Sequence, residues 1–274
     1  MTAEDLSFIF NRAFYGSFSL KKMLFVFWVL ALCGVLVVFF RGLAVNVGGW
    51  LLLSLTFLPM FLTGGVLLSL GVMLIRIYHD EVKGKEVKYR KIFSKSWEVI
   101  LGASYFTIPI ILLYLVMWMV LGIFVMLTQI PIIGAIFSSI LSFGPFLLNF
   151  ASLLLCVGML AFLFFVSPAI ALKGLNGLQL SQWLNKRFKN DPFANLVAII
   201  VGVLPVAFVS ILLVLAAYLS GSMTDLGFDS TLYTMTRWFF MMIPFVFVLS
   251  PAIIFFFNFA AESHVLMKRA FSPK

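Results

Sequence analysis

Residues 23–40 read MLFVFWVLALCGVLVVFF, an unbroken run without a charge. Coiled into a helix at 1.5 Å per residue, such a run covers about 27 Å, close to the ~30 Å of bilayer hydrocarbon. Five further runs follow, over 50–75, 99–126, 146–172, 196–218 and 238–259. Barrel strands would alternate apolar and polar residues over roughly ten positions, and these runs are continuously apolar. The expected fold is therefore all-α, a polytopic membrane protein of six transmembrane helices. The segment 130–143 (IPIIGAIFSSILSF) is apolar but short and interrupted by Gly and Ser. It is expected as an interfacial piece, a re-entrant piece or an extension of a neighbouring helix.

Composition agrees. Of 274 residues, 63% are hydrophobic and 11% charged, against roughly 25% charged in soluble domains. No polar stretch is long enough to enclose a core of its own, so one transmembrane domain over 1–274 is expected. About twenty residues precede the first run, with acids at Glu4 and Asp5, and the run is long for a signal sequence. It is expected to be retained, although Gly42–Leu43–Ala44 loosely matches a cleavage site. Cys33 and Cys156 both lie within apolar runs, which excludes a disulfide framework and any CxxC motif.

Six spans put both termini on one side. That side then holds the segments before 23, 76–98, 173–195 and after 260, and with them seventeen of the nineteen Lys and Arg residues. The exceptions are Arg41 and Arg237. Basic loops remain cytoplasmic, so both termini are expected there. The net charge of +9 is then a property of loops facing anionic lipid, and no nucleic-acid partner is expected. Tyr78, Tyr89, Trp97 and Trp183 fall at one predicted interface, Trp50, Tyr218, Tyr233 and Trp238 at the other, where amphipathic rings settle.

The basic segments also echo one another. Phe10–Phe18 (FNRAFYGSF) aligns without gaps on Tyr89–Trp97 (YRKIFSKSW), setting Arg12 on Lys91 and Phe18 on Trp97. Lys186–Phe193 (KRFKNDPF) aligns on Arg90–Trp97, setting Arg187 on Lys91, and this register continues to place Pro109 on Pro205. Ser167–Pro168–Ala169–Ile170 recurs as Ser250–Pro251–Ala252–Ile253. The implied unit is a basic amphipathic helix followed by an out-and-back pair of spans. Three parallel copies would occupy 4–78, 79–172 and 173–267.

The Gly64–Gly65 pair, the stretch RIYHDEVKGKEVKYRKIFSKSW at 76–97 and Ser167–Pro168–Ala169 carry a layout-level resemblance. It is to a broad group of bacterial six-span membrane proteins, including the membrane domain attached to some glycerophosphodiester phosphodiesterases. The resemblance implies the six-helix layout and a bacterial inner membrane. It transfers no catalytic residue, since that group's phosphodiesterase chemistry resides in a separate domain.

Chemistry is sparse. The span interiors contain no ionisable residue, where a coupled transporter commonly keeps one. HExxH, Walker, GxSxG and GxGxxG motifs are missing from the sequence. His79, Asp80 and Glu81 are consecutive and so cannot share a helix face as metal ligands. His79 and His264 are expected as solvated interface residues. No enzyme activity, cofactor or metal is expected. Asn149 and Asn258 are the candidates for an intramembrane polar cavity, because an amide in hydrocarbon requires a partner. Proline falls in five of the six spans, at Pro59, Pro109, Pro168, Pro205, Pro244 and Pro251, as in kinked transporter helices.

The expected role is a non-catalytic scaffold or accessory component. Arg12, Lys21, Lys22, Lys88, Arg90, Lys91, Lys95, Lys186, Arg187 and Lys189 would contact anionic headgroups or a membrane or cytoplasmic protein partner. The alternative is a permease for a neutral or lipidic substrate.

Overall fold

A computed structural model describes residues 3–44, 47, 49–85, 87, 89–130, 134–140, 143–174, 182, 185, 187–189, 191–221 and 231–271. These residues form α1 (Ala3–Tyr15), α2 (Leu20–Ala44), α3 (Gly49–Val82), α4 (Tyr89–Tyr105), α5 (Ile108–Thr128), α6 (Gly134–Ile140), α7 (Gly144–Lys173), α8 (Pro192–Leu219) and α9 (Thr231–Phe271). There is no strand among the described residues. Six helical stretches are long and apolar enough to cross a membrane: Leu20–Ala44, Ser54–Val82, Trp97–Thr128, Phe146–Leu172, Pro192–Leu219 and Leu232–Leu266. The arrangement is compatible with an integral, multi-pass membrane protein.

Two helix ends differ from the sequence expectation. The third run is not one helix, because the chain breaks at Phe106–Thr107 and α5 starts with Pro109 in its first turn. Proline there sacrifices no intrahelical bond, because the first N–H groups of a helix have no partner within it. Pro109 therefore begins a helix rather than kinking one, unlike Pro59, Pro168, Pro205, Pro244 and Pro251, which lie inside helices. The segment 130–143 contributes α6, a separate seven-residue helix, and does not lengthen either neighbour.

The remaining breaks have local causes. Gly84 adopts φ +67 and Gly174 φ +90, which only glycine takes freely, and they end α3 and α7. Asp191 caps α8 by accepting the Ala194 N–H at 3.0 Å, with Pro192 behind it. α1 ends at Gly16, where a Cβ would lie 3.1 Å from the Tyr78 ring and 3.3 Å from the Asn258 amide. Close approach requires the glycine.

The spanning helices form an inner and an outer set. α3, α7 and α9 touch one another at the centre. Residues 163–171 of α7 and 254–261 of α9 are buried without interruption, as are 70–75 of α3. Over these turns the inner helices have no outward face, whereas the opposite halves of α7 and α9 keep exposed apolar residues such as Leu153 and Phe240. The outer helices occupy the grooves between them. α2 lies against α3 and α9, α5 against α3 and α7, α8 against α7 and α9. Each outer helix precedes an inner one in its pair and also touches the inner helix of another pair, so the packing runs in a closed cycle.

The outer helices present apolar stripes. Leu24, Trp28, Leu32, Val35, Phe39 and Leu43 are exposed on α2; Leu112, Val116, Met119, Ile123 and Met126 on α5; Leu196, Ile200, Leu204, Phe208, Ile211 and Leu215 on α8. Spacings of three and four put each set on one helix face. Stripes of this length have no place in water and suit acyl chains.

Candidate functional site

α3 and α9 remain helical beyond their apolar stretches, so polar residues that linear reading assigned to span ends or loops sit on rigid helix. On α3 these include Tyr78, His79 and Glu81, and on α9 Glu262, Ser263 and His264. The start of α2 and the end of α1 reach the same level.

Lys22 is the most enclosed charge of the group, 1% exposed. Its Nζ donates to Glu81 Oε2 at 2.7 Å and to the Gly16 carbonyl, and lies 5.9 Å from the centre of the Tyr78 ring. The Tyr78 hydroxyl donates to Glu262 Oε1 at 2.7 Å. Arg12 Nε stands 3.4 Å from that same oxygen. Two carboxylates thus tie α1, α2, α3 and α9 together at one end of the bundle. Tyr89, at the start of α4, joins them: burial first, and then the charge of Glu81, hold its hydroxyl above the ordinary tyrosine range, while a hydrogen bond with Ser19 pulls the other way.

Arg187 makes the corresponding connection for α7, α8 and α9. It is 3% exposed. Its Nε donates to Asn195 Oδ1 at 2.8 Å and its Nη2 to Ser263 Oγ at 3.3 Å, and the guanidinium lies 4.7 Å from the centre of the Phe165 ring. The Asn195 amide returns hydrogen bonds to the carbonyls of Arg187 and Asp191. Burial pulls the Arg187 pKa down to about 10. It remains a cation at neutral pH.

Several sequence expectations change here. Lys22 and Arg187 do not face headgroups; each is buried because the helix end beside it supplies an acceptor. Arg12, Lys21 and Lys189 are exposed as expected. Arg90, Lys91 and Lys95 lie on α4 with side chains outside the described residues, and Lys88 and Lys186 lie outside them altogether. His264 is not solvated but 1% exposed, because α9 continues as packed helix past the apolar run. His79 is half-buried.

Asn149 and Asn258 do not share a cavity. Asn149 lies near the start of α7 and Asn258 toward the end of α9, which runs the same way through the bundle, so they stand at opposite ends. Asn149 borders a space of about 20 Å³ with Ser54, Tyr114 and Ser152, room for a single water. Asn258 is 0% exposed, and neither its Nδ2 nor its Oδ1 has a hydrogen-bond partner among the described residues.

Beside the ionic layer a cavity of about 690 Å³ opens between α1 and the ends of α3 and α9. Arg12, Asp5, His79, Lys83 and Glu262 supply its polar groups, and Ile75, Leu172 and Leu266 are among its apolar walls. No three His, Cys, Asp or Glu side chains gather into a metal-binding group among the described residues.

No known protein family, curated protein or solved structure matches the chain. The geometry of the site contains charge pairs which hold helix ends together, outward-facing bases and one amphipathic cavity.

Proposed function

We propose that this chain is a non-catalytic component of a bacterial inner membrane, with both termini cytoplasmic, that contacts anionic lipid or a partner protein through its basic end. The supporting observation is a division of labour among the bases. Lys22 and Arg187 are used internally, while Lys21 and Lys189 stay exposed at the same end and Arg12, paired with Glu262, keeps 40% of its side chain exposed. Exposed bases near a cytoplasmic leaflet each add about 1 kcal/mol of attraction to anionic lipid. Seventeen of nineteen bases on one side also favour this orientation.

The closed cycle of outer and inner helices supports three parallel copies of one helix pair. In that scheme each preceding basic segment rests on the inner helix of the pair before it. α1 packs on α9 and α4 on α3, and Phe188, which follows Arg187, packs its ring 5.0 Å from Phe165 of α7. The scheme is in keeping with the proposed kinship to the membrane domains attached to glycerophosphodiester phosphodiesterases.

The test is a charge-removal series. Arg12, Lys21 and Lys189 are replaced by Gln together, then Lys88, Arg90, Lys91 and Lys95. Binding of the detergent-solubilised protein to phosphatidylglycerol-containing liposomes is compared with phosphatidylcholine liposomes. A loss of roughly fivefold per outward base is expected. Binding unaffected by both sets removes the lipid-contacting role, and unchanged co-purification of proteins with both sets removes the partner role. The permease alternative draws on one observation, the unsatisfied amide of Asn258.

A further inference from the structure

We propose that the cavity between α1 and the ends of α3 and α9 binds one phospholipid whose headgroup carries both a phosphodiester and a primary ammonium group. The inference rests on the membrane placement argued above. Its volume of about 690 Å³ lies within the ~300–1,000 Å³ of small-molecule sites. Ile75, Leu172 and Leu266 give it walls for acyl chain. Phe8, which also lines it, is 65% exposed and marks its open side.

The polar lining has both signs, and the bonding already present says which atoms remain for a ligand. Glu262 Oε1 takes the Tyr78 hydroxyl and faces Arg12. The hydrogen bond and the ion pair of Glu262 both fall on Oε1, which leaves Oε2 as the acceptor for an ammonium N–H. Lys83 is exposed and has no carboxylate partner among the described residues, so it is the donor for a phosphate oxygen. Charge-assisted hydrogen bonds of this kind are the strong ones. Phosphatidylcholine has no ammonium N–H to give, and phosphatidylglycerol has no cation for Glu262.

The cyclic packing supplies an independent comparison. The crevice between α7 and α9 corresponds to the one between α3 and α9. There the Arg187 guanidinium enters and fills the space against Phe165 and Ser263. Arg12, its counterpart in the sequence echo, stays at the rim with 40% of its side chain exposed. The first crevice is left open where the third is plugged by the chain itself.

The full chain, purified in mild detergent, is mixed with equal amounts of phosphatidylethanolamine, phosphatidylcholine and phosphatidylglycerol of identical acyl chains. Retained lipid is counted by native mass spectrometry. One phosphatidylethanolamine is expected, preferred about tenfold over phosphatidylcholine, beside any phosphatidylglycerol held by the outward bases. E262Q and K83Q should each bring phosphatidylethanolamine and phosphatidylcholine near parity. K83Q lies outside the Tyr78–Glu262–Arg12 contact and decides the matter if E262Q fails to fold. Equal retention of phosphatidylethanolamine and phosphatidylcholine by wild type, or an unchanged preference in K83Q, would overturn the site. So would displacement by equimolar glycerophosphoethanolamine, which has the headgroup but no acyl chains. Release from membranes by alkaline carbonate would instead defeat the membrane placement, and a membrane-retained protein without the preference defeats the site alone.

Discussion

Lys22 and Glu81 meet at 2.7 Å although 59 residues separate them, and their contact fastens the first residues of one spanning helix to the last of the next. Lys22 is enclosed while the Glu81 side chain keeps 31% of its surface. Removing one partner of a fully buried pair costs about 3–5 kcal/mol. Because Glu81 retains solvent, Lys22→Met is expected to cost about 2 kcal/mol. Lys22→Met with Glu81→Gln should recover part of that loss. Thermal unfolding of the four proteins in one detergent gives the coupling, and additive losses would show that the pair is not coupled.

Asn258 is a buried amide without a partner among the described residues. Enclosing such a group costs roughly 1–3 kcal/mol by mutational measures. Asn258→Leu, of similar size, is therefore expected to raise the unfolding temperature in detergent. A fall in that temperature would show that the amide is satisfied in the membrane-embedded protein, which the permease alternative requires.

Two glycines on one helix should respond differently to a methyl group. A Cβ on Gly71 would collide with the ring of Phe257, which is fully buried, whereas a Cβ on Gly64 would meet the mobile tip of Met159. Overpacking against an immobile core costs about 1–3 kcal/mol. Gly71→Ala should fall in that range and Gly64→Ala well below it. Equal destabilisation of the two would mean that the Phe257 ring is free to move.

Sidedness can be read with thiols. In a chain with Cys33 and Cys156 replaced by Ala, single cysteines at Lys85 and Asp229 are expected on opposite faces. An impermeant maleimide applied to intact cells should label Asp229→Cys and spare Lys85→Cys until the cells are opened. Labelling in the reverse order would invert the proposed topology.

The span count was legible because continuous apolar runs are a long-range average, insensitive to any one residue. The run 146–172 coincides with the candidate span Phe146–Leu172. The helix ends were harder. The break before Pro109 depends on which turn of a helix the proline enters, and apolar content is the same on either side of it. The echo between Phe10–Phe18 and Tyr89–Trp97 likewise does not fix local geometry: the first copy contains the bend at Gly16, the second lies wholly within α4.

The bases were legible as a group but not one by one. Lys21 and Lys22 are neighbours in sequence, and helical geometry turns one outward and the other toward Glu81. Composition assigns both to the headgroups. Tyr78 and Glu262 were missed for a similar reason, since their contact joins positions 184 residues apart. A usable signal was present: Tyr78 and Glu81 are three positions apart, so both fall on the face of α3 toward α1 and α2.

α9 contains 41 residues, about 60 Å of helix at 1.5 Å per residue. Even at a steep tilt of about 40° it would rise roughly 46 Å, well beyond the ~30 Å hydrocarbon. In the proposed orientation the surplus would carry its final turns beyond the hydrocarbon as a stiff mast. A domain or partner attached near the C-terminus would inherit a fixed height and heading, set by the contacts of Glu262 and Ser263 that hold this end of α9 to its neighbours.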